Sequence, residues 1–402
     1  MELILKNNPW WKGEEDYTIA EWERMKERWF PEWVNKISLE PFSLNFIVGP
    51  RQVGKTTGIK LLIKKLVEEK SNKPERIFYF TCDLVVDLEH LKKTIDWYLS
   101  FKKANNIVSS FIFLDEVTSL REWWKIIKGY IDLGVFKNDV ITVSGSASMK
   151  LKGEIELFPG RRGKGSDLIV YPLSFREFLS IKNISFNLTG SLESDMKRAS
   201  LYKSEIDRLF KDYLRLGGFP LSLNRDINAE GSFISSFEGE VLRAKKSIEI
   251  SKEIISSILK KAPSPLSYST IANELGISYK TVQEYTELFK GLFLIDTALH
   301  KEDKKIQWRK ERKFFFLDPF IANTFSFWTL EKYLESSIYE WAIQSHLARK
   351  FGHIYYYRNS YEIDCIADSL RIEIKAGKPH RKYPKNVLVL DEENIPLFLS
   401  VM

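Results

Sequence analysis

The sequence predicts an α/β fold built on a parallel sheet, followed by helical and smaller mixed α+β segments. Three observations carry that prediction. Short apolar runs recur at 43–48 (SLNFIV), 77–80 (IFYF), 111–114 (FIFL) and 140–145 (VITVSG), the pattern of strands buried on both faces. Segments of helical length separate them, such as GIKLLIKKLVEEK and DLEHLKKTIDWYLSFKK, and strands alternating with helices imply a parallel sheet covered by helices. A glycine-rich loop, GPRQVGKTT, lies between the first run and the first of these helices, where a phosphate-binding loop must lie.

Composition sets the frame for these elements. The 402 residues are 44% hydrophobic and 29% charged, an ordinary globular composition with length for roughly two to four domains. No apolar run reaches the roughly 18–20 residues needed to span a bilayer, and the opening MELILKNNPWWKGEEDY lacks the layout of a signal peptide. A cytoplasmic protein without a membrane partner is expected. The two cysteines, Cys82 and Cys365, are far apart and without metal-ligand spacing, so reduced, buried thiols are expected. Lys and Arg outnumber Asp and Glu by 61 to 54, a balance that favours polyanionic partners and is equally met by a solvated basic surface. Several of the 11 tryptophans crowd into residues 1–35, which predicts a strap packed on the main domain, since so much indole surface is not left in water. Ligand stacking by Trp10 or Trp11 is the minor reading.

The glycine loop carries the chemistry. Gly49, Pro50, Arg51, Gln52, Val53, Gly54, Lys55 and Thr56 fit G-x-x-x-x-G-K-[ST], with Thr57 following. Glycines let successive backbone N–H groups curl around a phosphate, and the helix N-terminus favours its charge. Lys55 then reaches the β- and γ-oxygens of ATP, and Thr56 offers its hydroxyl to Mg²⁺. At the carboxyl end of FIFL, Asp115 is placed to hold the Mg²⁺ and Glu116 to polarise the attacking water. Ser144 and Ser146, in VITVSGSAS, are hydroxyls for sensing the γ-phosphate, or small turn residues. Arg161 and Arg162 follow Gly160 in LFPGRRGKG, where a guanidinium supplied in cis or from a neighbouring subunit, or simply a basic loop, is the reading.

GPRQVGKTT, FLDEV, GSAS, PGRRG with YPLSFREFL, and LGGFP together resemble the prokaryotic AAA-type ATPases, abundant in archaea, that carry a C-terminal restriction-endonuclease-like domain; the NPWW opening is also typical of archaeal members. The resemblance implies an ASCE-type P-loop core, a winged-helix domain and a small nuclease-like fold. The expected division is a strap at 1–35, an ATPase core at 36–165, a helical lid at 166–228, a winged helix-turn-helix domain at 229–325 and a PD-(D/E)xK nuclease-like domain at 326–402.

The later elements support separate readings of their own. SYSTIANELGISYKTVQEYTELF has helix-turn-helix spacing, with Ser278, Tyr279, Lys280, Thr281 and Gln283 opening the second helix; Lys280 is set against Glu284 and Glu287, so DNA reader and interdomain spacer are both open. In YEIDCIADSLRIEIKAG, a two-residue turn at Asp368 and Ser369 puts Asp364 opposite Glu373 and Glu362 opposite Lys375, on the face away from Ile363, Cys365, Ile372 and Ile374. Opposed carboxylates cost roughly 0.2–1 kcal/mol unless a cation lies between them, which points to a metal. Asp364, Glu373 and Lys375 also match the D…(D/E)-x-K pattern of the resembled nuclease fold, and Glu340 its helical glutamate, a set that would hold Mg²⁺ for phosphodiester cleavage. A solvated hairpin face, or a degenerate fold kept for partner binding, is the alternative. The preferred function is an ATP-driven machine acting on DNA or RNA, with ATP and Mg²⁺ as cofactors and added nuclease activity; the alternative is a signalling or scaffold ATPase that binds protein partners or copies of itself.

Overall fold

The computed structural model describes residues 2–69, 73–145, 153, 157–303, 305–359, 361–375, 384 and 386–402. The chain divides into two compact units, Met1–Val170 and Tyr171–Met402.

The first unit is the anticipated α/β layer. Strands β1 (Ser43–Val48), β2 (Ile77–Thr81), β3 (Phe111–Asp115), β4 (Val140–Gly145) and β5 (Asp167–Ile169) form a sheet in the order β2-β3-β4-β1-β5, and every pair is parallel. β4 therefore lies between the strand that feeds the glycine loop and the strand that ends in Asp115. Leu44, Phe46, Val48, Phe78, Phe80, Ile112, Leu114, Ile141 and Val143 are buried with Trp123 and Phe158 from outside the sheet. This is why the strands read as continuous apolar runs rather than alternating ones. Gly54 stands before the helix Lys55–Glu68 at φ 93°, a left-handed conformation that glycine adopts without steric cost.

β2 is an edge strand, and the residues before it cover that edge. The Asn8 side chain accepts from the N–H of Tyr79 at 2.7 Å and donates to its carbonyl at 2.9 Å, and the carbonyl of Ile77 accepts the indole N–H of both Trp10 (3.0 Å) and Trp11 (2.9 Å). Asn7 takes the N–H of Thr81 at 3.3 Å. NNPWW thus satisfies with side chains the backbone groups that another strand would have paired. Trp11 stacks on Phe101 with centroids 5.1 Å apart, so Trp10 and Trp11 are used in packing and edge hydrogen bonds.

The second unit begins with helices, among them Phe175–Ile181, Lys203–Leu216 and Ala229–Arg243. The helix-turn-helix follows as Tyr268–Leu275 and Tyr279–Gly291, separated by Gly276 at φ 65° and capped by Ser278, whose hydroxyl takes the N–H of Thr281. β6 (Ile295–Glu302), β7 (Lys305–Ile306), β8 (Arg312–Phe316), β9 (Tyr355–Arg358), β10 (Glu362–Ala367), β11 (Leu370–Lys375) and β12 (Leu388–Asp391) then build one sheet, β12-β11-β10-β9-β6-β7, with β8 also on β6.

That sheet joins segments that the expected division keeps apart. Leu299 on β6 lies between Arg312 on β8 and Tyr355 on β9, so the ribbon assigned to the winged helix and the strands assigned to the nuclease-like domain are hydrogen-bonded to each other. The boundary at 325/326 is not a break in the fold. The lid segment is joined to the same unit: Asp318, capping the helix Pro319–Thr329, accepts the N–H of Gly218 at 3.0 Å, and a Cβ on Gly217 (φ 65°) would fall 1.9 Å from that carboxylate. LGGFP is explained by this contact, because only glycines admit it. The strap and core likewise fold as one unit whose limit, residue 170, lies near the expected 165.

Candidate functional site

In the first unit the glycine loop Gly49–Gly54 connects β1 to the helix that starts at Lys55. Gln52 and Gly54 both have positive φ, at 62° and 93°, the kind of reversal that turns consecutive N–H groups inward to an anion. Arg51 and Gln52 are half-buried and Val53 buried beneath the loop; Thr56 and Thr57 follow on the first helical turn. The Lys55 ammonium is buried and donates to the carbonyls of Gly49 (3.2 Å) and Pro50 (2.8 Å), and Glu116 Oε1 is 3.7 Å away. Burial lowers its pKa, and the nearby Glu116 and Asp115 carboxylates oppose that shift.

Asp115 is the hub. Its Oδ2 accepts the Thr56 hydroxyl at 2.6 Å and the Tyr79 hydroxyl at 2.9 Å, and its Oδ1 accepts the Ser144 hydroxyl. Ser144 Oγ in turn accepts the N–H of Glu116 at 3.0 Å. Glu116 sits at φ 53°, ψ 43°, a left-handed conformation that costs a non-glycine residue about 1 kcal/mol or more and that turns the chain sharply at the end of β3. Loop, Lys55, Thr56, Asp115, Glu116 and Ser144 are therefore brought together. Ser146 lies outside the described residues. Arg161 forks onto Asp132, with Nε at 2.5 Å and Nη2 at 3.3 Å, and donates to the carbonyl of Pro159 rather than to the loop. Arg162 pairs with Asp167 at 3.0 Å and covers the Phe46 ring at 4.2 Å.

The residues fit ATP and Mg²⁺. A carboxylate surrounded by hydroxyls is a hard oxygen donor set suited to Mg²⁺, and a lysine held by neutral carbonyls has a cation to offer phosphate. Sequence reasoning missed Tyr79. A phenol inside a buried run must find a hydrogen-bond partner, which was the available signal. Behind it, Lys60 lies 3.4 Å from the Tyr79 ring centroid and 2.9 Å from Asp16 of the strap.

In the second unit the hairpin has the calculated register, with Cys365 opposite Ile372, Ile366 opposite Arg371 and Ala367 opposite Leu370. The cation among the carboxylates is a lysine. Lys313 Nζ, from β8, donates to Glu340 Oε1 at 3.0 Å and Asp364 Oδ1 at 2.6 Å, and is 3.0 Å from Glu362 Oε1. Asp364 Oδ2 accepts the N–H of Ile374 at 2.8 Å. Glu373 is paired with Lys375 at 2.5 Å, so Glu362 pairs with Lys313 and not with Lys375 as the register alone had suggested. Lys313 lies between Glu340 and Asp364, and among the described residues no group of three or more His, Cys, Asp or Glu side chains is arranged to hold an ion. Burial, followed by the Asp364 carboxylate, pushes Glu340 up to about 8. Burial also works against the charge on Lys313, but Glu340, Asp364 and Glu362 outweigh it and hold that ammonium well above its ordinary pKa. The signal missed here was RKFFF, a lysine in a run otherwise destined for the core, which must be paired once buried.

Comparison with known proteins adds the following. Residues 42–179 match the model of an AAA domain, and residues 207–332 match a domain of unknown function (DUF8612). The latter spans the helix-turn-helix and straddles the expected limit at 228/229. An uncharacterised protein of Methanocaldococcus jannaschii is 25% identical over 277 residues, covering 65% of this chain and 57% of that protein. One from Haemophilus influenzae is 24% identical over 272 residues, covering 63% and 62%. The aligned part thus spans less than two thirds of the length of these relatives. Among solved structures, the Aeropyrum pernix ORC2 protein (ADPNP-ADP complexes) is 12% identical with a TM-score of 0.39, covering 72% of this chain and 88% of that one. The Aeropyrum pernix ORC1 protein in complex with DNA is 13% identical with a TM-score of 0.30, covering 71% and 86%. The first unit is an α/β P-loop core of AAA type, and no described helix is long and apolar enough to cross a membrane.

Proposed function

We propose that this chain binds and hydrolyses ATP in its first unit and uses the resulting conformational change to act on nucleic acid. The observation that carries the reading is the convergence on Asp115 of Thr56 from the glycine loop and Ser144 from the next strand, with Lys55 and Glu116 3.7 Å apart beside them. Thr56 and Asp115 would hold Mg²⁺, which supplies charge neutralisation on the β- and γ-phosphates. Lys55 leaves the carbonyls of Gly49 and Pro50 for the phosphate oxygens, and the loop N–H groups hold the β-phosphate. Glu116 accepts the proton of the attacking water, and Ser144 fixes the backbone that aims it. Arg161, released from Asp132, stabilises charge on the γ-phosphate.

Glu116→Gln separates these roles, because it removes the base but not the phosphate contacts. It should retain nucleotide and lose turnover; loss of ATP binding by this variant would refute the assignment. Action on nucleic acid is tested by ATP turnover with and without single- and double-stranded DNA and RNA, where stimulation should fall steeply with salt.

One observation favours the scaffold alternative over nuclease chemistry for the second unit: the Lys313 ammonium lies where an ion shared by Glu340 and Asp364 would be. Nuclease assays with Mn²⁺ test it. Cleavage abolished by Glu373→Ala or Lys375→Ala would restore the metal reading.

A further inference from the structure

Away from the carboxylate cluster, the second unit carries a cationic and aromatic surface around its helix-turn-helix. The turn between β7 and β8 presents Trp308, Arg309 and Lys310, all exposed, and the helix Tyr279–Gly291 begins with Tyr279 and Lys280. Trp308 is 68% exposed and Tyr279 49%, although the chain buries Trp123 and Trp341 fully. Large aromatics left in water mark contact surfaces. Between positions 301 and 312 there are six basic residues against three acidic ones. Among the described residues Lys280, Arg309 and Lys310 have no ion pair within 4 Å, and the acids that faced Lys280 in sequence have other partners, Glu284 pairing with Lys246 and Glu287 lying 3.9 Å from Lys290.

The turn and the helix are held as one surface. Leu266 bridges to Arg312 at the base of the turn. The Arg312 guanidinium covers the Tyr268 ring at 4.1 Å and donates to its hydroxyl at 2.9 Å, while a second nitrogen reaches the carbonyl of Trp308 at 3.5 Å. Tyr268 meets Tyr279 edge-on, with centroids 5.4 Å apart. One arginine and one tyrosine therefore fix the exposed turn relative to the start of the second helix.

We propose that Tyr279, Lys280, Trp308, Arg309 and Lys310 form a docking surface for duplex DNA, with the helix Tyr279–Gly291 in the major groove and the turn on the adjoining sugar-phosphate backbone. This deepens the nucleic-acid reading above and rests on it. Unpaired cations beside exposed rings suit a polyanion that also offers sugar and base faces. B-form DNA is selected over duplex RNA by groove shape: a major groove about 12 Å wide admits a helix, whereas the A-form major groove is too deep and narrow.

The test is fluorescence anisotropy of the full chain with a labelled DNA duplex of about two helical turns, repeated over a salt series and with duplex RNA of the same sequence. Arg309→Ala/Lys310→Ala should weaken DNA binding about tenfold or more and reduce the slope of log K against log salt by about 2, the loss of two phosphate contacts. Trp308→Ala should weaken binding about fivefold, in line with loss of one apolar or stacking contact. Lys197→Ala, an exposed lysine on another helix, should bind as the parent does. ATP turnover without DNA should be unchanged in all, and an unchanged melting transition reports intact folding of the second unit. If the parent binds DNA and the variants at Trp308, Arg309 and Lys310 bind it equally well, this surface is wrong and the nucleic-acid reading stands. Equal affinity for duplex RNA would overturn the groove placement. A parent that binds no duplex would overturn the surface together with the reading beneath it.

Discussion

Each unit buries a lysine among carboxylates, and the two assemblies are built to opposite ends. At the nucleotide site Lys55 is held by two neutral carbonyls with its nearest carboxylate at 3.7 Å, and Asp115 is held by the hydroxyls of Thr56, Tyr79 and Ser144. Neutral partners are exchangeable: each such bond to a charged group contributes about 1.5–3 kcal/mol, and contacts to phosphate and Mg²⁺ can replace it without stranding a buried charge. In the second unit the Lys313 ammonium lies within 3.0 Å of the carboxyl groups of Glu340, Glu362 and Asp364. A buried charge so fully compensated cannot release its partners without leaving them uncompensated. Carboxylate and lysine content therefore does not mark a working site; what marks it is whether the charges are held by neutral groups that a ligand can replace.

The contrast is most exposed to test at Lys313. Lys313→Met should destabilise the second unit by about 3–5 kcal/mol, the range for removing one partner of a buried pair. A melting temperature equal to that of the parent would show the cluster to be hydrated and exchangeable after all. Lys55→Ala should leave melting nearly unchanged and lower ATP turnover by about 10²–10³-fold, the usual loss when one charge-stabilising group is removed. If instead it unfolds the protein, Lys55 is as much a structural cation as Lys313 and the contrast fails. Tyr79→Phe should weaken the hold on Asp115 by about 1.5–3 kcal/mol, typical of a hydrogen bond to a charged group, and the measurement is the Mg²⁺ concentration for half-maximal turnover. No change in that midpoint would make Tyr79 merely structural.

The smallest effect concerns pH. Burial raises Glu340 from 4.5 to about 8, so the folded protein keeps a proton there that the unfolded chain has released. Its stability contribution is fully present below about pH 4.5 and is lost as pH rises through about 8. Glu340→Gln, which carries no titratable group, should flatten that decline in denaturant unfolding followed between about pH 5 and 8. A parent whose stability rises over this interval would place the ionised carboxylate, not the acid, beside Lys313.

Much of the nucleotide site was legible because its logic is local. GPRQVGKTT sits between a strand and a helix that the sequence itself reveals, and FIFLDE places Asp115 at a strand end. Ser144 was visible for the same reason, at the end of VITVSG. Tyr79 was not, since its partner is 36 positions away and only the pairing of Thr81 with Asp115 in adjacent strands brings their elements together. The strap was readable as a packed segment from its tryptophans, but its use of Asn7, Asn8, Trp10 and Trp11 on the edge of β2 depended on β2 being an edge.

Periodicity and turn chemistry within short stretches were enough to set the parallel α/β class, the glycine loop with its acidic strand end, the helix-turn-helix spacing and the Asp364 hairpin register. How the second unit is joined, and what lies between its carboxylates, depended on contacts between distant segments. β6 accepts β8 on one edge and β9 on the other, which merges two expected domains into one sheet. The same merger carries Lys313 from β8 to Glu340 and Asp364, 27 and 51 residues away. Strand pairing over such separations is set by which edges and buried charges remain to be satisfied once the chain has folded, and no local pattern records it.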